Sequence, residues 1–175
     1  MFHLIPAPLH RAALRIAHGV RRRWWRWRRP RIAGCRVVAL DAAGRVLLIR
    51  HSYGSDRWMP PGGGLARGED ALAAAVRELR EETGCRLEGA HLLETVDERL
   101  HGAGNRVYIV AGWSADIPVA DGREIIEAAF FAPEGLPENM PPTMRRQMPG
   151  WLTAARAGHH RDAAFPPLHP PAQTD

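Results

Sequence analysis

From residue 63 onward the chain reads Gly63, five residues, Glu69, seven residues, then Arg77-Glu78-Leu79-Arg80-Glu81-Glu82-Thr83-Gly84-Cys85. Positions three and four apart on a helix share a face, so Glu78, Glu81 and Glu82 would send three carboxylates into one small volume. Like charges at that spacing each cost a helix about 0.2–0.5 kcal/mol. A helix that keeps them calls for positive charge nearby. Interleaved arginines on a solvated face would supply it, as at the Arg77–Glu81 spacing, and so would a bound cation. The flanking sequence favours the cation. Residues 51–70, "HSYGSDRWMPPGGGLARGED", form a long Gly/Pro-rich loop of the kind that is usually functional inside a compact domain. Behind it, "DALAAAVRELREET" is the clearest helix of the chain. Glu69 and Asp70 are expected in its first turn, Gly84 is its stop, and Ala71, Leu72, Ala75, Val76 and Leu79 are its expected packing face.

The stretches around this loop–helix read as strands. "CRVVAL" and "VLLIR" are two buried strands joined by a turn at "DAAG", where Gly44 supplies the bend. "HLLETVDERL" and "RVYIVAGW" are two more around "HGAGN", and "IIEAAFFA" begins as a strand or bridge. "TMRRQMPGWLTAARA" reads as a final helix that Pro149 would kink or split.

Charge is divided along the chain. Residues 1–40 hold ten arginines and no acid; the remainder holds fourteen arginines against nineteen acids, so a +10 leader and a −5 body sum to +5. The chain average therefore misleads as a sign of nucleic-acid binding. In the leader, Leu9, Ala13, Ile16, Ala17, Val20, Trp24 and Trp27 trace one helical stripe over residues 8–29, which Pro30 ends. This divides the chain into a basic N-terminal amphipathic helix (1–31), a main domain (32–158) and a Pro-rich tail (159–175) expected to be disordered. "RRRWWRWRRPR", residues 21–31, suits three roles: contact with an anionic membrane surface, a grip on single-stranded RNA or DNA, or packing on the domain or a second subunit. A mitochondrial transit peptide fits the arginines, but there is no serine before Ser52. No run of 18 apolar residues predicts a membrane span, and no apolar segment follows the arginines as in a signal peptide. Cys35 and Cys85 sit in apolar stretches and read as reduced core residues. The expected location is cytoplasmic, with peripheral membrane contact through the leader as the variant.

Nucleophilic chemistry finds little support. No serine stands in a Gly-x-Ser-x-Gly elbow, the nine histidines have no ligand spacing, and "PGGG" lacks the lysine of a Walker loop.

The spacing from Gly63 to Cys85 resembles a complete Nudix box, Gly-x5-Glu-x7-Arg-Glu-U-x-Glu-Glu-x-Gly-U, with Leu79 and Cys85 at the apolar U positions. Chance odds are on the order of 10⁻⁸ per starting position at average residue usage. The resemblance covers residues 33–140 and implies an α/β fold, an α/β/α sandwich around a mixed sheet. It implies Mg²⁺ or Mn²⁺ bound by Glu78, Glu81 and Glu82, with the carbonyl of Gly62 or Gly63 as a further ligand. Arg77 would orient a glutamate, and Glu69 would close the loop onto the helix. Family members differ in their general base: Glu78 is the candidate within the box, Glu124 is expected as an additional ligand or base, and Glu127 is the next choice. The implied activity is hydrolysis of the pyrophosphate bond of a nucleoside diphosphate linked to another group. The alternatives are a nucleotide-binding regulator without catalysis, which would tend to lose box glutamates that this chain keeps, and RNA 5′-end processing. Subfamily markers are missing: Leu100 stands where ADP-ribose hydrolases tend to have proline. Gly102 and Ala103 stand where dinucleoside-polyphosphate hydrolases tend to have tyrosine, the nearest being Tyr108. Arg50, Arg57 and Trp58 flank the expected cleft and could meet phosphate or base, although Trp58 suits a core position equally.

Overall fold

Arg31–Leu40 forms β1 and Val46–His51 forms β2 in a computed structural model that describes residues 31–100 and 103–162, together with Ala13. The leader helix expected over residues 8–29, and any contact it makes, lies outside the described residues, as does the tail from residue 163. The turn after β1 is built by a short acidic side chain, a common turn device. Asp41 Oδ1 accepts from the N–H groups of Ala43 (3.0 Å) and Arg45 (2.8 Å), and Gly44 takes φ 72°, the left-handed region that favours glycine.

Three further strands follow, β3 (Glu88–Leu100), β4 (Ala103–Trp113) and β5 (Ile125–Phe131). Two helices complete the fold, α1 (Ala71–Thr83) between β2 and β3 and α2 (Pro142–Asp162) after a single 3₁₀ turn at Pro133–Gly135. The β3–β4 ladder runs out to Leu100↔Ala103, so strand pairing extends into the stretch expected as a turn. Strand order is β3-β4-β1-β2-β5, with β1 and β4 parallel and every other pair antiparallel.

Alternation along β1 divides the core in two, because successive strand residues face opposite sides. Cys35, Val37 and Ala39 pack with Ala74, Ala75 and Leu79 of α1. Val38 and Leu40 pack with Met148, Trp151, Leu152 and Ala155 of α2. The result is the α/β/α sandwich around a mixed sheet. Both cysteines are buried and free.

Strands β1 and β2 are in register at Leu40↔Val46, and beyond it part of the Gly/Pro-rich loop lies between them. Ile49 and Met59 exchange N–H···O bonds of 2.9 and 3.0 Å. Val37 N donates to Pro61 O (2.8 Å), Cys35 N to Gly63 O (2.9 Å) and Leu65 N to Ala33 O (3.0 Å). The loop thus closes the gap in the sheet, and its backbone groups are paired as a strand's would be.

Three expectations need correction. Asp70 is the N-cap of α1, its Oδ1 accepting from Leu72 N (2.9 Å) and Ala73 N (3.2 Å), so it and Glu69 precede the first turn. Val76 is 38% exposed and Ala74 is buried instead; Ala74, Ala75, Leu79 and Glu82 form a buried arc centred near Ala75, and Val76 falls on the flank opposite Ala74, about 100° from Ala75. Of the two outcomes expected at Pro149, a kink or a split, the split does not occur. The ring removes one N–H from the ladder, yet Met148, Trp151, Leu152 and Ala155 stay buried against the sheet and the helix continues to Asp162, past the boundary expected at 158. Among the described residues no helix is long and apolar enough to cross a membrane.

Candidate functional site

The buried stripe of α1 does not stop at Leu79. At the same spacing the next residue is Glu82, 8% exposed, so a carboxylate takes the place an apolar side chain would fill. The Gly62 N–H donates to Glu82 Oε2 at 2.8 Å, and His51 Nε2 lies 3.7 Å from Oε1. Burial pushes the Glu82 carboxyl up to about 9. The Gly62 N–H works against that rise, and the charges of Glu78, Glu124 and Glu81 add to it. Burial likewise raises Glu78, partly countered by Arg77.

Arg77 organises the outer side of the cluster. Its Nε and Nη2 grip Glu69 at 2.8 and 2.9 Å, and Nη1 reaches Glu78 (2.8 Å) and Glu81 (3.2 Å). Nη2 also donates to the Gly64 carbonyl at 3.3 Å. Glu69 in turn accepts from the Ala66 N–H at 2.7 Å, so the loop is tied to the helix through one guanidinium. Arg77 and the Ala66 N–H hold the Glu69 carboxyl down to about 2, and Glu69 and Glu78 raise the guanidinium's pKa further.

The loop glycines answer to close approaches. A Cβ on Gly63 would lie 2.4 Å from Glu78 Oε1, and one on Gly62 (φ 148°) would lie 2.2 Å from the Cys35 carbonyl oxygen. Of the two carbonyls expected near the cluster, that of Gly63 is engaged by the Cys35 N–H.

Two further carboxylates arrive from the segment before β5. Glu78, Glu81, Glu82, Asp121, Glu124 and Ile125 line one cleft. Asp121 Oδ1 accepts from the N–H groups of Arg123 (2.8 Å), Glu124 (3.0 Å) and Ile125 (3.0 Å), which shapes the turn that carries Glu124. Ser52 N donates to the Glu124 carbonyl (2.8 Å), and the Tyr53 hydroxyl donates to Glu124 Oε1 (2.5 Å).

Other expected residues go elsewhere. Glu127 pairs with Arg50 at 3.1 Å and is not among the residues lining the cleft. It lies on β5 opposite Arg50, and a register shift separates that pair from His51↔Ile125, the end of the strand next to Glu124. Arg50 also meets Asp56 (3.2 Å) and sits 5.8 Å from the Trp58 ring centroid. Trp58 packs edge-on against Phe131 at 4.8 Å beside the α2-side core, so packing is the role observed for it. Neither Arg50, Arg57 nor Trp58 lines the cleft. Sequence reasoning missed Asp121, His51 and Tyr53. A signal for His51 was present: it follows Leu47, which packs on the α1 side, by two steps of the strand period.

The donors in the cleft are all carboxylate oxygens, which suits a hard divalent cation rather than a soft metal. Among the described residues no three acidic, His or Cys side chains are gathered closely enough to hold an ion by themselves. Arg77 draws Glu78 aside, Gly62 holds Glu82, and the carboxylates repel one another. Mg²⁺ usually takes only one or two carboxylates and completes its shell with water and substrate phosphate, so the donor set fits.

Comparison with known proteins agrees with this geometry. The family model described as NUDIX domain matches residues 30–151. The chain is 40% identical over 57 residues to an RNA pyrophosphohydrolase of Teredinibacter turnerae, covering 33% of this chain and 33% of that protein. It is 48% identical over 63 residues to an RNA pyrophosphohydrolase of Dinoroseobacter shibae, covering 35% of this chain and 39% of that one. The matches thus span well under half the length of these relatives. A crystal structure of a MutT NUDIX hydrolase from Burkholderia pseudomallei superposes with a TM-score of 0.61 at 25% identity, covering 71% of this chain and 97% of that one. With the family model spanning most of the chain and the fold shared, this protein belongs to the Nudix hydrolase superfamily.

Proposed function

We propose that the protein is a metal-dependent hydrolase that cleaves the pyrophosphate bond of a nucleoside diphosphate linked to another group. The observation that carries this reading is the buried Glu82, set at the end of the apolar stripe of α1 and facing the same cleft as Glu78, Glu81 and Glu124. Carboxylates clustered there oppose an anionic substrate unless a cation stands between them. Glu78, Glu81, Glu82 and Glu124, with the Gly62 carbonyl, would hold Mg²⁺ or Mn²⁺. When bound, the ion neutralises the diphosphate and lowers the pKa of a coordinated water. Arg77 positions Glu78 and Glu81 and ties them to Glu69. Glu78 accepts the proton of the attacking water. The water oxygen bonds to phosphorus as the bridging P–O bond breaks, and the leaving phosphate carries away the bonding pair.

The two relatives named RNA pyrophosphohydrolase favour one finer reading, in which the substrate is the 5′-terminal phosphate chain of an RNA. The two free, buried cysteines fit a reducing compartment, and the cytoplasm is the proposed location.

The test is phosphate and pyrophosphate release from nucleotides, nucleotide sugars and 5′-triphosphorylated and capped RNA, with Mg²⁺ and Mn²⁺, beside Glu82→Gln. Metal-dependent turnover lost in the variant is the expected result. Nucleotide binding with no turnover across the panel overturns it in favour of a regulator.

A further inference from the structure

Of the two cleft carboxylates that the box helix does not supply, Asp121 is taken up by three N–H groups of its own turn, and Glu124 is left to face the helix carboxylates. It comes from a turn, and it must stay close to Glu78 and Glu82, which its charge makes harder to ionise. A solvated glutamate on a turn would swing away from such neighbours. Here its backbone is held by the N–H bonds to Asp121 and by the Ser52 N–H on its carbonyl. Backbone restraint does not aim a side chain with three rotatable bonds. The Tyr53 hydroxyl does: it donates to Glu124 Oε1 at 2.5 Å, within the range of a charge-assisted O–H···O⁻ bond.

Tyr53 is itself well placed for this. It lies two residues past His51, the end of β2, and Ser52 between them is buried and bonded to the Glu124 backbone. The Tyr53 and His51 rings stand 5.3 Å apart, and His51 reaches Glu82. The end of β2 therefore touches the helix carboxylate with one side chain and the turn carboxylate with the other.

We propose that Tyr53 is a positioning residue that aims Glu124 into the cleft, so that helix and turn carboxylates present one preformed oxygen set to the divalent ion. This rests on the reading of the cleft as a metal site for a diphosphate. A phenol suits the task because it donates one hydrogen bond and carries no charge, so it orients a carboxylate without neutralising it. An arginine there would compete with the cation for the same oxygens.

Tyr53→Phe keeps the ring and removes the hydroxyl. Mn²⁺ affinity, read by electron paramagnetic resonance on the full chain, is expected to fall about 10-fold, at the lower end of the effect of losing a group that orients a ligand. With substrate, kcat is expected to fall while KM stays within about 2-fold, since Tyr53 acts through Glu124. Glu124→Gln should weaken Mn²⁺ binding at least as much, and the double variant should bind no worse than Glu124→Gln alone. Wild-type Mn²⁺ affinity in Tyr53→Phe, or additive losses in the double variant, would overturn the proposal. The Mn²⁺ titration needs no turnover. Coupling between Tyr53 and Glu124 without hydrolysis would sink the proposed activity and leave the positioning role standing; hydrolysis without coupling would do the reverse.

Discussion

Glu82 Oε2 accepts the Gly62 N–H at 2.8 Å, a contact that joins the last turn of α1 to the inserted loop and holds a buried carboxyl group in the lining of the cleft. Glu82→Gln keeps the shape and an acceptor for that N–H but removes the charge. Metal-stimulated turnover should fall at least about 100-fold, beyond the range for groups that only orient a ligand. Without metal the variant should melt no lower than wild type, because the Glu82 carboxyl, raised to about 9 in the fold, must take up a proton to fold at neutral pH and an amide need not. Added Mg²⁺ should raise the melting temperature of wild type and not of the variant. Thermal melts with and without Mg²⁺, beside the turnover assay, decide it; undiminished turnover would remove Glu82 from the metal set.

The two loop glycines should fail in different ways. Gly62→Ala puts a methyl 2.2 Å from the Cys35 carbonyl at φ 148°, and the flanking bonds to β1 leave the backbone little room. A loss of about 2–4 kcal/mol in unfolding free energy is expected. At Gly63 the methyl meets the Glu78 carboxylate, a side chain that can move. Gly63→Ala should therefore cost about 1 kcal/mol of stability but at least about 10-fold in kcat. Urea melts and kinetics on both variants would separate them, and equal destabilisation would contradict the assignment.

Arg77→Lys keeps the charge and loses the fork. Lysine cannot hold Glu69 through two nitrogens and reach Glu78 and Glu81 with the same group. Activity should drop by about 10–100-fold with the fold intact. A variant with wild-type kcat would show that the guanidinium geometry is dispensable.

The Glu69–Arg77 pair also sets an acid dependence. The Glu69 carboxyl falls from an ordinary 4.5 to about 2 in the folded protein, chiefly through Arg77. A lowered acid pKa stabilises the fold fully above the unfolded value, and that contribution disappears as pH falls through the folded one. The gap in melting temperature between wild type and Glu69→Gln should thus be constant at neutral pH and close between about pH 4.5 and 2. A gap that persists unchanged at pH 2 would mean that the ion pair is not its source.

Much of the site was legible because it lies within one helix and the loop before it. Spacing alone brings Glu78, Glu81 and Glu82 together and predicts Leu79 as core, since helical geometry repeats every 3.6 residues whatever the rest of the chain does. The same periodicity fails at finer grain: Val76 is adjacent to the inward stripe yet falls outside it. At Pro149 the local rule for helix breaking did not end the helix, because apolar residues are buried on both sides of the ring.

What the sequence by itself determined was local: the box helix and its stop at Gly84, the turn at Asp41–Gly44, the strands with their alternating faces, and the family those features belong to. Tertiary structure decided which distant groups meet them. Glu124 rather than Glu127 enters the cleft, Asp121 shapes the turn that carries it, Tyr53 reaches it across 71 residues of chain, and the glycine loop fills the opening between β1 and β2. Periodicity is set by backbone geometry over a few residues, whereas these contacts depend on strand order and register, which no short stretch of the chain encodes.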